Sequence, residues 1–420
     1  MRVLFVTPAY PPFPGGGERY ARSLALQVGE RGHKVTVLTG SARDERDFWS
    51  PRGVARQSSD TWDALVRVLR LPVQGFPGGR AALLAWRKAM VLLSGLPGDQ
   101  TRWLARMAHR FPRLPGLEST LARLLDTHDL VHGFNLSWES PVIEAWRLAR
   151  SRGLPFVLTP FAHLGTGRYD RVARNTTMDH QCHVLSDADA VLVLTAVERE
   201  GLAALGAPAA KLSVIGGGVD DLPAFGSAAA ALKRYNLQLP LVLFVGRVGF
   251  EKGAIHAAEA IRSLRGKGID VCLALIGQVA PEFVRYARRL SAADKRYIRA
   301  LGVLGEEEKH ALLSASQMLV LPSRTDSFGL VLLEAWQHGK PVIGARAGGI
   351  PDVIDDRENG LLVPFGATEA LADAIELLLR DEARSQALGE CGREKVAARY
   401  RWRSVSDRVL AVYDRIRQDQ

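Results

Sequence analysis

Short apolar runs alternate with helix-patterned segments almost from end to end of this chain, and that alternation leaves few folds open. Residues 2–7, 34–39, 129–133, 155–160, 189–195 and 212–215 read as buried strands of the kind found in parallel sheets covered by helices on both faces. The first of them runs into a loop over residues 8–17 that ends in Gly15, Gly16 and Gly17, and a helix starts near Glu18. This is a βαβ unit with its Gly-rich turn at the carboxyl end of a strand, where open α/β sheets bind ligands. The turn lacks G-x-G-x-x-G spacing, so a dinucleotide fingerprint is not supported.

A second series begins at residues 241–246 and continues through 271–277, 298–305, 318–322, 341–344 and 360–363. Helices are expected between these runs over 254–266, 306–314 and 369–379. The fold class is therefore α/β, with two Rossmann-like domains in tandem, and 420 residues exceed what one core organises. The Gly216-Gly217-Gly218 turn and the Ala/Gly/Ser-rich stretch ending near Ala231 read as the linker. The expected domains are residues 1–222 and 223–400, with 401–420 as a final helix.

The chemistry concentrates in two turns of the second domain. The strand ending at Leu321 turns through Pro322 and Ser323 and opens a helix at Phe328-Gly329-Leu330, with Asp326 and Glu334 eight positions apart. A helix start presents free N–H groups and positive partial charge, which suit a diphosphate. The carboxylates suit hydroxyls, which they accept as charge-assisted hydrogen bonds. Phosphate and polyol together mean a nucleotide sugar. Taken alone, the acid pair also fits a capped helix with Asp326 as the cap. The second turn, Gly246-Arg247-Val248-Gly249-Phe250-Glu251-Lys252-Gly253, delivers two cations suited to a pyrophosphate and to its departure.

These residues carry a resemblance. Asp326-x7-Glu334 around Ser327-Phe328-Gly329-Leu330 resembles the E-x7-E signature of the retaining glycosyltransferases of family 4, with Asp where the family usually shows Glu. The turn at 246–253 resembles that family's G-R-x4-K-G pattern. Leu301 to Glu306, Ala347 to Asp352 and Glu358 to Val363 resemble further family motifs, as do the Gly15-Gly16-Gly17 turn and Asp129 to Gly133. The likeness spans about residues 1–40 and 125–420.

The resemblance implies a GT-B fold: two Rossmann-like domains facing across a cleft, the first binding the acceptor and the second the donor, with residues 401–420 crossing back to the first. It implies a retaining, front-face, hexosyltransferase-type transfer in which the leaving phosphate oxygen takes the acceptor's proton. By the same implication Arg247 and Lys252 stabilise the leaving diphosphate, Asp326 holds sugar hydroxyls and His163 contacts the transferred sugar. Donor binding falls to Gly16, Gly17, Leu304, Ser327, Phe328, Gly329, Leu330 and Glu334, with Glu334 on the ribose. No D-x-D metal motif is found, no metal is assigned, and no cofactor is expected beyond the nucleotide-sugar donor. The expected acceptor is a glycan, a lipid-linked glycan or a small metabolite.

Composition narrows the setting. With 47% hydrophobic and 24% charged residues the chain reads as a soluble globular protein. Three scattered cysteines argue for a reducing compartment, and the first apolar run is too short for a signal peptide, so a cytoplasmic location is expected. His180, Cys182 and His183 lie close together but lack a second ligand group. The net charge of +10 admits anionic partners. From 60 to 113, nine Lys/Arg stand against three Asp, with Trp62, Trp86 and Trp103 interleaved.

That segment suggests two or three short basic, aromatic, amphipathic helices. They either lie on an anionic membrane, as a peripheral contact at the inner face of the plasma membrane, or pack on the first sheet with solvated arginines outside. No nucleic-acid partner is expected. Competing functions are a GT-B sugar-nucleotide epimerase, which donor alone would expose, and a non-catalytic module binding sugar nucleotides or membranes. Binding alone would not need Arg247, Lys252 and Glu334 together.

Overall fold

Among the residues that the computed structural model describes, 1–162, 173–324 and 326–418, the apolar runs assemble into two separate parallel-rich sheets. The chain divides into a first unit, Met1–Gly216 with Trp402–Gln420, and a second, Gly217–Arg401.

The first unit holds β1 (Arg2–Val6), β2 (Lys34–Gly40), β3 (Ser59–Asp63), β4 (Val66–Leu71), β5 (Leu130–Phe134), β6 (Phe156–Thr159), β7 (Ala190–Val193) and β8 (Leu212–Val214). Their order is β3-β4-β2-β1-β5-β6-β7-β8. All neighbours run parallel except β3 and β4. Val3 to Val6 are fully buried, as the apolar run required.

Residues 59–71 depart from the helical expectation: β3 and β4 form an antiparallel hairpin at the sheet edge. Val66, Val68 and Leu71 turn inward while Arg67, Leu69 and Arg70 lie at the surface or half-buried, a period of two carried most clearly by Val66-Arg67-Val68. Arg67 closes the hairpin with a two-pronged pair to Asp60. Beyond it the expectation of helices holds over Gly79–Ser94 and Thr101–Ala108, and a further helix, Leu117–Leu125, follows the segment.

The final helix, Trp402–Gln418, belongs to the first unit. Tyr413 is fully buried in it, its hydroxyl 2.5 Å from His132 Nδ1 on β5, while His132 Nε2 meets Thr159 Oγ1 on β6 at 2.8 Å. Burial holds His132 well below its ordinary pKa, so this neutral imidazole is a structural link between helix and sheet.

The second unit holds β9 (Leu241–Val245), β10 (Cys272–Ile276), β11 (Ile298–Gly302), β12 (Met318–Leu321), β13 (Val342–Ala345) and β14 (Gly360–Val363), in the order β11-β10-β9-β12-β13-β14 with every neighbour parallel. Successive strands step outward one way from β9 and the other way from β12. The topological switch point therefore falls between β9 and β12, at whose carboxyl ends such sheets bind ligands. The stretch read as a linker is not featureless. Its end forms the Ala228–Arg234 helix, where the Ser227 hydroxyl accepts from Ala230 N–H.

Candidate active site

The two turns singled out by sequence leave β9 and β12 and so meet at the switch point. Arg247 follows β9 directly and is exposed, with no ion pair among the described residues. Lys252 stands two residues before the Ala254–Gly266 helix, held by Gly253 in a left-handed conformation (φ +80°). A side chain at 253 would meet the Pro322 carbonyl oxygen at 2.0 Å, so the backbones after β9 and β12 touch where only glycine fits. Arg324 N–H donates to the Glu251 carbonyl at 2.9 Å, a second tie between the turns.

That approach brings Lys252 and Asp326 together: Nζ lies 2.9 Å from Oδ1, with the two side chains 26% and 18% exposed. Asp326 is held by its backbone as well. Its carbonyl accepts from Gly349 N–H at 2.8 Å, and Gly348, at φ +59°, leaves the space that a Cβ would need, 2.4 Å from the same oxygen. The Ala347 to Asp352 motif thus acts on the acid turn from behind.

The helix after β12 is Leu330–Gln337, starting two residues later than expected, with left-handed Gly329 as its cap. Leu332 N–H donates to the Gly329 carbonyl at 2.8 Å, and the two helical N–H groups before it, at Leu330 and Val331, come too early for a bond within the helix. Phe328 precedes it, and its ring is buried against Gly217 and Tyr400 of the same unit. Ser327 is half-buried beside Asp326. Glu334 lies just over one turn into the helix, 9% exposed. Leu304 is half-buried in the loop after β11.

Sequence reasoning missed Lys309. It is 4% exposed on the Glu306–Ala315 helix, and its Nζ lies 2.8 Å from Glu334 Oε2 and 2.7 Å from Glu306 Oε2. A lysine among apolar neighbours at helical spacing was the available signal.

In the first unit, Gly16 and Gly17 open the Gly16–Glu30 helix beyond β1. The Glu18 carboxyl folds back over Gly15, and burial, with a smaller push from Glu45, raises it to about 7. His163 lies outside the described residues. Its predecessor Ala162 donates its N–H to Glu198 Oε1 at 2.7 Å, and Leu194 N–H donates to Oε2 at 2.8 Å.

His180, set aside above for want of a second ligand group, faces Glu139 at 3.2 Å, and Arg87 reaches the same buried oxygen at 2.5 Å. Asp187-Ala188-Asp189 does have D-x-D spacing, but Arg150 engages both carboxylates, at 2.7 and 3.0 Å. Among the described residues no cluster of three or more His, Cys, Asp or Glu is placed to hold a metal.

Comparison with known proteins follows the same division. A family model described as "Glycosyl transferases group 1" matches residues 233–395, and one described as "Glycosyl transferase 4-like domain" matches residues 15–218. The D-inositol 3-phosphate glycosyltransferase of Saccharomonospora viridis is 32% identical over 310 residues, 68% of this chain and 70% of its own. The GDP-mannose-dependent alpha-(1-6)-phosphatidylinositol monomannoside mannosyltransferase of Mycobacterium tuberculosis is 26% identical over 97% of both chains. The sucrose-phosphate synthase structure from Thermosynechococcus elongatus superimposes with a TM-score of 0.76 at 22% identity, covering all of both chains.

Proposed function

Since this chain belongs to the family 4-type glycosyltransferases of GT-B fold, which use nucleotide sugars, we propose that it moves a hexosyl group to an acceptor hydroxyl with retention at the anomeric carbon and without a metal. The observation that carries this reading is the Lys252–Asp326 pair at the switch point. It sets a cation for the diphosphate beside a carboxylate for the sugar hydroxyls. Arg247 and Lys252 balance the charge that develops on the departing diphosphate, a task for which preorganised cations suffice. The acceptor hydroxyl enters from the face the diphosphate leaves, and its proton passes to the leaving phosphate oxygen. His163 serves the transferred sugar, and Glu334 the ribose. Gly16, Gly17, Leu304, Ser327, Phe328, Gly329 and Leu330 complete the donor's surroundings.

A panel of UDP-, GDP- and ADP-sugars in a thermal-shift assay identifies the donor, because a bound ligand raises stability with its affinity. NMR of the product then reads the anomeric configuration. Inversion would overturn the front-face scheme, and activity lost on chelation and restored by Mg²⁺ would overturn metal independence. Release of free nucleotide and an epimerised sugar from donor alone would favour the epimerase reading.

For the acceptor, the reading is a lipid-linked hydroxyl at an anionic surface. The Gly79–Ser94 helix turns Trp86 inward, next to Phe76, yet Leu84 and Leu92 on it, Leu96 in the connection and Trp103 on the Thr101–Ala108 helix are 55–62% exposed. Arg80, Lys88, Arg102, Arg106 and Arg110 are exposed among them. An apolar outer stripe rimmed by cations is the pattern of an interfacial helix. The mycobacterial relative named for a phosphatidylinositol monomannoside lends support. No helix among the described residues is long and apolar enough to cross a membrane.

A further inference from the structure

We infer that Lys309 is a positioning residue for the donor: it sets the orientation of the Glu334 carboxylate that receives the ribose hydroxyls. This rests on the proposed ribose role of Glu334. Lys309 Nζ lies 2.8 Å from Glu334 Oε2, and both residues are almost wholly buried. The lysine therefore acts from beneath the carboxylate and does not itself extend to a ligand.

Two features make this a designed contact. Lys309 comes from a different helix, Glu306–Ala315, so the pair fixes the acid helix against its neighbour. On its other side Nζ meets Glu306 Oε2 at 2.7 Å, and the Glu306 side chain is 56% exposed. One ammonium thus bridges a buried carboxylate and a surface one. Without the ammonium beneath it, the carboxylate is free to rotate toward other donors, and that change of orientation spoils it as a hydroxyl acceptor. Below the pair, His310 Nδ1 meets His338 Nε2 at 2.9 Å. Burial, followed by the charges of His310 and Lys340, pushes His338 down to about 4, so this neighbour supplies no replacement cation at neutral pH.

The role of Lys309 separates from general stability through ribose discrimination. UDP, GDP and ADP are titrated against wild type by calorimetry, and the tightest is compared with its 2′,3′-dideoxy counterpart. Hydrogen bonds to a charged group set the wild-type preference for the ribose form at about tenfold or more. Lys309→Met brings that ratio to within about twofold of unity, leaves the dideoxy affinity nearly unchanged, and Lys309→Arg restores most of it.

Retention of the wild-type ratio by Lys309→Met, when Glu334→Gln loses it, overturns the inference alone. Retention by Glu334→Gln overturns the ribose reading itself. Should Lys309→Met not fold, Lys309→Gln, which keeps a hydrogen-bond donor without the charge, takes its place beside Lys309→Arg. A wild-type ratio in Lys309→Gln overturns the inference.

Discussion

Lys252 Nζ lies 2.9 Å from Asp326 Oδ1, so the cation assigned to the diphosphate and the carboxylate assigned to the sugar form one ion pair across two turns. The pair is partly exposed, so its worth to stability is small, and its value lies in placement. A diphosphate and a sugar hydroxyl that arrive together can divide the pair between them.

Replacing either cation should therefore cost turnover and spare the fold. Lys252→Ala and Arg247→Ala are each expected to slow transfer at least about ten- to hundredfold, the equivalent of a lost charged hydrogen bond of roughly 1.5–3 kcal/mol. Arg247 is exposed with no ion pair among the described residues, so its loss should leave the melting temperature unchanged. Steady-state kinetics showing near wild-type turnover for either variant would remove the diphosphate assignment.

Gly348→Ala tests the support behind Asp326. The residue sits at φ +59° with a Cβ position 2.4 Å from the Asp326 carbonyl oxygen, so the new methyl must displace the acid turn. The expected cost is about 1–3 kcal/mol of stability, with weaker donor binding. Unchanged denaturation and unchanged KM for the donor would show that the turn is not held from this side.

Glu198 should make stability depend on pH. Burial raises its carboxyl to about 7, against the opposing pull of the Leu194 and Ala162 N–H donors. The folded chain therefore binds this proton more tightly than the unfolded one. The contribution is fully present below the ordinary value of 4.5 and is lost as pH rises through about 7. Denaturant midpoints measured between pH 4.5 and 8 should fall more steeply for wild type than for Glu198→Gln. The difference should reach on the order of 3 kcal/mol at most. Parallel slopes would refute it.

The outer stripe of the Gly79–Ser94 and Thr101–Ala108 helices predicts sedimentation with anionic vesicles at low salt, lost as salt rises and absent with neutral vesicles. Each nearby Lys or Arg adds about 1 kcal/mol of attraction. Lys88→Glu with Arg106→Glu should abolish it without touching the donor turns. A protein that stays in solution with anionic vesicles at low ionic strength would point to a soluble acceptor instead.

Much of this molecule was legible before its structure. Five of the six strands of the second unit lie where an apolar run leads into a Gly- or Pro-bearing turn, because a strand buried on both faces must be apolar throughout, while the edge strand β11 carries Arg299 and is mostly half-buried or exposed. Arg247, Lys252, Asp326 and Glu334 fall beside those turns for the same local reason. The β3–β4 hairpin was obscured because edge strands carry charge and an exposed Trp62, which resembles the surface of a helix.

Local pattern and turn chemistry by themselves determined the strands, the turns and the charged residues those turns carry. Partnership was decided only by tertiary structure. Arg87 and Lys88 are adjacent basic residues, yet one is half-buried against the buried Glu139 and the other is exposed. Lys252 meets Asp326 because β9 and β12, far apart in sequence, become neighbours at the switch point. Lys309 meets Glu334 because two helices of the same unit pack together. Such contacts depend on strand order and helix packing, global properties that no short window of sequence encodes.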